Sequence, residues 1–105
     1  MFKVNPRRTF RYPVTVTIHD GEKAQTGKFH ATFRAAQGDE LRSRSDDLFL
    51  DIVLLEVHGI EIEGEDGQPL EGEDLLAAVK NDPSLSSACI AAYQESIVRK
   101  NRPKT

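Results

Sequence analysis

Tryptophan is absent, cysteine and methionine occur once each, and aromatic residues make up 7% of the 105-residue chain. One cysteine, Cys89, cannot close an internal disulfide, so the expected setting is the reducing cytoplasm. With so few rings, the core must be mainly aliphatic. No apolar run approaches the ~18 residues that a membrane span needs, so no membrane partner is expected. The opening stretch MFKVNPRRTFRYP has cations but no apolar h-region, and a secretory signal is not expected. Glycine-rich phosphate loops are missing, because Gly64, Gly67 and Gly72 sit among acids that repel phosphate. There is no Gly-x-Ser-x-Gly elbow.

What is present fits one small domain with one core. Apolar residues make up 38% of the chain and the formal net charge is −3. That charge is unevenly spread. Lys3, Arg7, Arg8 and Arg11 make residues 1–11 a basic arm, and Arg99, Lys100, Arg102 and Lys104 make residues 99–105 a basic tail. Both are expected to be flexible, flanking a domain over 12–98. Seven acids and no base lie from Glu61 to Asp74. Opposite patches on one small domain favour head-to-tail self-association or a charged partner, against the plainer reading of a solvated loop and frayed ends. With the cations at the ends, few aromatics and a negative net charge, no nucleic-acid partner is expected.

Tyr12, Val14, Val16 and Ile18 alternate with Pro13, Thr15, Thr17 and His19, which predicts a half-buried strand. Pro13 donates no hydrogen bond and belongs at a strand start or an edge. A turn region is expected from Asp20-Gly21 to Gly27, then a second strand with Phe29, Ala31 and Phe33 inward. A lone hairpin is marginal, so it must pack on helices. A short helix can begin at Asp39.

A main helix is expected from Ser45 or Asp46 to about Val57, with Gly59 as its C′ residue. It is apolar nearly all round. Leu48, Phe49, Ile52 and Leu55 share one face, and Leu50, Val53, Leu54 and Val57 form a second stripe. Either the helix is buried on both sides, or the stripe Leu50, Val53, Leu54 and Val57 is kept for a partner. Ile60 and Ile62 predict a short extended piece, and Glu65-Asp66-Gly67 a turn. A short helix follows, capped by Glu71 or Gly72 and closed at Asn81. Asp82-Pro83 then opens the last helix, with Asp as N-cap and Pro at the first position. Leu85, Cys89, Ala92, Tyr93 and Ser96 line its inner face, with Ile90 and Ile97 beside it. The expected fold is α+β, an N-terminal antiparallel β-hairpin packed on three α-helices.

No catalytic or metal constellation emerges, and neither an enzyme nor a cofactor is expected. A calcium loop fails on spacing, since Gly67 at the sixth position would put Ile62 and Gly64 where ligands belong. His19 and His30 could face each other across the hairpin, which is a weak metal signal without a third ligand. Cys89 sits among alanines as a small buried hydrophobe.

Several of these segments together resemble the small tail assembly chaperones of long-tailed bacteriophages and prophages. The similarity spans roughly Lys28 to Asn101. It comprises the strand Phe29-His30-Ala31-Thr32-Phe33-Arg34, the Glu40-Leu41 pair, the aliphatic run Leu48 to Val57 with Gly59, and the turn Glu65-Asp66-Gly67-Gln68-Pro69-Leu70. It continues through Leu75-Leu76, Asp82-Pro83, Ala91-Ala92-Tyr93 and Lys100-Asn101. Ile60 follows Gly59 where the family tends to carry tryptophan. The resemblance implies a non-enzymatic protein that acts in the bacterial host cytoplasm. Such a protein binds the long tape measure protein in several copies and yields it to the tail tube protein during tail morphogenesis. It also implies a frameshifted, extended form in many phages. A tail-tube or head–tail joining subunit and a small adaptor module are the alternative readings. Polymerisation of the purified protein into tubes without a client would mark the former, and a genome neighbourhood without a tape measure gene the latter.

Overall fold

The computed structural model describes residues 1–43 and 49–100. Its element order is β1 (Thr9–Asp20), β2 (Lys23–Arg34), α1 (Gly38–Ser43), α2 (Phe49–Val53), β3 (Leu54–His58), α3 (Gly72–Asn81) and α4 (Pro83–Lys100). The fold is α+β, with the expected N-terminal hairpin extended by a third antiparallel strand in the order β1-β2-β3.

The hairpin is longer and tighter than its hydrophobicity suggests. Asp20 pairs with Lys23 across a two-residue turn in which Gly21 has φ +64°, while no non-glycine residue among those described has positive φ. One positive φ at the first central position is the type II′ arrangement, whose twist matches the flanking strands. The turn region expected to reach Gly27 is therefore strand from Lys23 onward. It was hidden because Thr17 to Lys28 are exposed on both faces and carry no burial pattern. Thr9, Phe10 and Arg11, expected in the basic arm, belong to β1. Two-residue closure also fixes which backbone groups point where. Even-numbered β1 residues bond to β2, whereas Pro13 and the other odd ones face outward. The missing N–H of Pro13 thus falls on the outer edge of an edge strand, where no ladder bond is lost.

The largest departure from expectation lies between Phe49 and His58. Of the predicted helix, Phe49–Val53 is helical as α2, and the second half is β3, paired to β2 through His30↔His58, Ala31↔Val57, Thr32↔Glu56 and Phe33↔Leu54. Between Leu54 and Glu56 one β3 residue, Leu55, has no partner, a bulge that bends the strand. The two apolar stripes are therefore one helical turn followed by a strand of period two. Leu54 and Val57 face in, Glu56 and His58 out. The expected helix start at Ser45 or Asp46, and Leu48, lie outside the described residues, as does the basic tail from Asn101.

The rest follows the local signals. Leu85, Cys89, Ala92, Tyr93 and Ser96 are all buried on α4, which lies across β1 and against α3. Asp82 closes α3 by donating its N–H to the Ala78 carbonyl at 3.1 Å. Its Oδ1 then accepts the N–H of Ser84 at 2.9 Å and of Leu85 at 3.0 Å. Tyr93 sits among Phe10, Phe33 and Phe49 at ring distances of 5.2–6.2 Å, and its hydroxyl accepts the Ala36 N–H at 3.2 Å. Residues 17–28 at the end of the hairpin are exposed on both faces and lie away from the core.

Candidate interaction surfaces

The residues singled out for chemistry are scattered. Cys89 is fully buried on α4, and burial pushes its thiol from 9.0 up to about 11, so it is neutral and shielded from solvent. His19 pairs with Ala24 and His30 with Pro13, which separates the two imidazoles by six strand positions. The register instead sets His30 beside His58, whose Nε2 lies 3.0 Å from Glu56 Oε2. Among the described residues no group of three or more His, Cys, Asp or Glu could hold a metal ion, and no helix is long and apolar enough to cross a membrane. The acidic segment forms a small hairpin of its own. Gly64 donates to the Gln68 carbonyl and Leu70 to that of Ile62, both at 2.8 Å, and Gly67 turns at φ +80°.

Of the expected partner stripe, Leu50 is 3%, Val53 0% and Leu54 2% exposed. This corrects the sequence reading. Leu50 and Val53 lie on α2, which packs on α4 and β2, and Leu54 is on the inner side of β3 against α3, so these three belong to the core and cannot contact a partner in the folded chain. Val57 alone stays partly accessible.

Two apolar grooves take the place of that stripe. The first, about 440 Å³, lies between β3 and α3 and is lined by Leu55, Val57, Leu75 and Leu76 with Glu56, His58 and Glu73 at its rim. Leu55 is 39% exposed because the bulge rotates it out of the inner row. The second, about 430 Å³, lies under the projecting hairpin. Val16, Ile18, Phe29, Ile60, Ile62 and Leu85 form its apolar wall, and Glu61, Asp82 and Lys28 its charged margin. Gly59, at φ +82°, takes the chain away from β2 and opens this groove.

No protein-family model, curated protein or solved structure matches the chain. Its surfaces must therefore be judged by their own chemistry. A third depression, beside Arg34 and Glu40, is polar and already satisfied internally. The Arg34 guanidinium donates to both Glu40 oxygens at 2.9 and 2.6 Å. Those hydrogen bonds raise the Arg34 pKa further, so the guanidinium keeps its charge. It ties α1 to the end of β2, and a fork already filled by a carboxylate offers no anion site.

Proposed function

We propose that this chain is a non-enzymatic tail assembly chaperone of a long-tailed phage or prophage, which keeps the tape measure protein soluble while the tail is built. The observation that carries the reading is the ordered set of segments from Phe29-His30-Ala31-Thr32-Phe33-Arg34 through Asp82-Pro83 to Ala91-Ala92-Tyr93. Support from the geometry is of a general kind. The groove beside β3 offers Leu55, Val57, Leu75 and Leu76 to the apolar face of a helical client, and its acidic rim suits basic residues beside that face. Val57 is the member of the expected stripe that retains a part in this contact.

Co-expression with the tape measure protein encoded downstream tests the proposal. The expected result is a larger soluble fraction of that protein and its co-purification with the chaperone. Exchange of Leu55 and Leu76 for Asp, both outside the fully buried core, should lower both readouts while the circular dichroism spectrum is kept. A tape measure protein that stays insoluble in the presence of the intact chain rules the function out.

A further inference from the structure

The N-terminal stretch carries apolar side chains that pack on nothing among the described residues. Met1, Phe2 and Val4 are 111%, 91% and 57% exposed, and Phe2 and Val4 lie two residues apart, hence on one side of an extended chain. Lys3 stands between them, with Arg7 and Arg8 just behind. The chain is pinned from Asn5 onward, where the Asn5 Oδ1 accepts the Arg7 N–H at 3.0 Å and its carbonyl the Arg8 N–H at 3.2 Å. The Pro6 carbonyl accepts Gln37 Nε2 at 2.9 Å and the Arg8 carbonyl accepts the Ala35 N–H at 3.0 Å.

The groove under the hairpin lacks a strand. β3 pairs with β2 only from His30 to Phe33. The alternation set by the II′ turn points the N–H and C=O groups of Ala24, Thr26 and Lys28 towards the same side as β3, where no described strand meets them. The inner face of this open edge also has a gap. Gly27 pairs with Val16 in the row that contains Phe29, and a Cβ built on Gly27 meets nothing within 4 Å. An incoming strand whose side chains face this row would set one of them over Gly27, against Val16, Ile18, Ile60 and Ile62.

We propose that residues Met1–Asn5 of one copy of this chain add to the open edge of β2 in a second copy. Phe2 and Val4 enter the groove over Gly27, and Lys3 alternates to the outer face of the sheet. The segment cannot fill its own groove. Five extended residues reach at most about 17 Å. The pinned end lies beside Arg34, about 20 Å along β2 from Lys28 and about 34 Å from Ala24, at ~3.4 Å per residue. The contact joins different surfaces of two copies, so it is heterologous and propagates into a ring or an open chain. β1 is less suited to receive a strand, because Pro13 presents no donor on its outer edge. The contact gives the expected homo-oligomer a defined interface, and it stands on these residues whether or not the client is a tape measure protein.

Sedimentation velocity on the purified full chain, without client, from about 5 to 500 µM tests it at concentrations where a micromolar contact is visible. The wild type should associate as concentration rises. F2D/V4D lies outside the folded core, and G27V fills an open space on the strand without strain. Each should weaken association at least ~10-fold, as loss of an anchor does, with the thermal midpoint unchanged or higher. A wild type that stays monomeric throughout, or variants that associate as tightly as it does, would overturn the proposal. So would a G27V chain that loses its client while self-association is untouched, which would assign the groove to the client.

Discussion

Leu54 and Leu55 are neighbours in sequence with opposite roles, and exchanging each for alanine tests the strand that replaces the expected helix. Leu54 is 2% exposed, pairs with Phe33 and belongs to the hydrophobic core on the side of β3 that meets α3. Removing its isobutyl group gives up the transfer free energy of the lost carbons and leaves a cavity in a packed core. Such substitutions cost about 2–5 kcal/mol, with about 3 kcal/mol as the central figure. Leu55, 39% exposed at the bulge, should lose less than about 1 kcal/mol. With an m-value of about 1.5 kcal/mol/M in urea, L54A should lower the unfolding midpoint by about 2 M and L55A by less than about 0.7 M. Equilibrium urea titration followed by circular dichroism reads both. In an unbroken helix from Asp46 to Val57, Leu54 would lie on the partner stripe and Leu55 with Leu48, Phe49 and Ile52. The two costs would then be reversed, with L54A mild and impaired only in client binding. A midpoint for L54A within about 0.5 M of the wild type would refute the strand and its packing.

Two further outcomes follow from the same coordinates. D82A removes the oxygen that caps the Ser84 and Leu85 N–H groups at the start of α4. It should cost about 1 kcal/mol, or roughly 4–8 °C in thermal midpoint, while D82N, whose amide oxygen can still accept both N–H groups, should keep most of the wild-type stability by scanning calorimetry. Cys89 gives a pH dependence of known sign. Its thiol titrates at 9.0 ordinarily and at about 11 in the fold, so above pH 9 the unfolded chain releases the proton while the folded chain holds it. Stability should therefore fall as pH rises through this window, by at most about 2–3 kcal/mol. In C89A that part of the slope should vanish, and an identical pH profile for the two proteins by urea titration at pH 8 and pH 10.5 would contradict the assignment.

The resemblance to tail assembly chaperones and the two grooves bear on different questions. The first concerns which client is held. The grooves concern how an 11.7 kDa chain can hold anything once its most apolar segment is used up in its own core. The answer offered here is that exposed apolar surface sits at irregularities, namely the bulge at Leu55 and the point where Gly59 leaves the sheet. Neither irregularity carries a sequence pattern of its own, which is why the expected stripe of Leu50, Val53, Leu54 and Val57 missed them.

The sequence by itself determined everything whose partners lie within a few residues. The α4 face of Leu85, Cys89, Ala92, Tyr93 and Ser96, the Asp82-Pro83 corner, the inward Val14 and Val16, and the Glu65-Asp66-Gly67 turn could all be read in advance. Helical periodicity, capping and strand alternation are local properties of the chain. Only the tertiary structure decided the stretch after Val53. A run apolar on every side satisfies helix and strand patterns equally. What settles it is the open edge of β2 from Phe33 to His30, a partner some twenty residues away that supplies backbone hydrogen bonds and a core-facing side. The same holds for the distal hairpin, where Lys23 to Lys28 bury nothing. A two-residue turn at Gly21 and the register it imposes make them a strand, and leave beside them an edge that no pattern in the sequence announces.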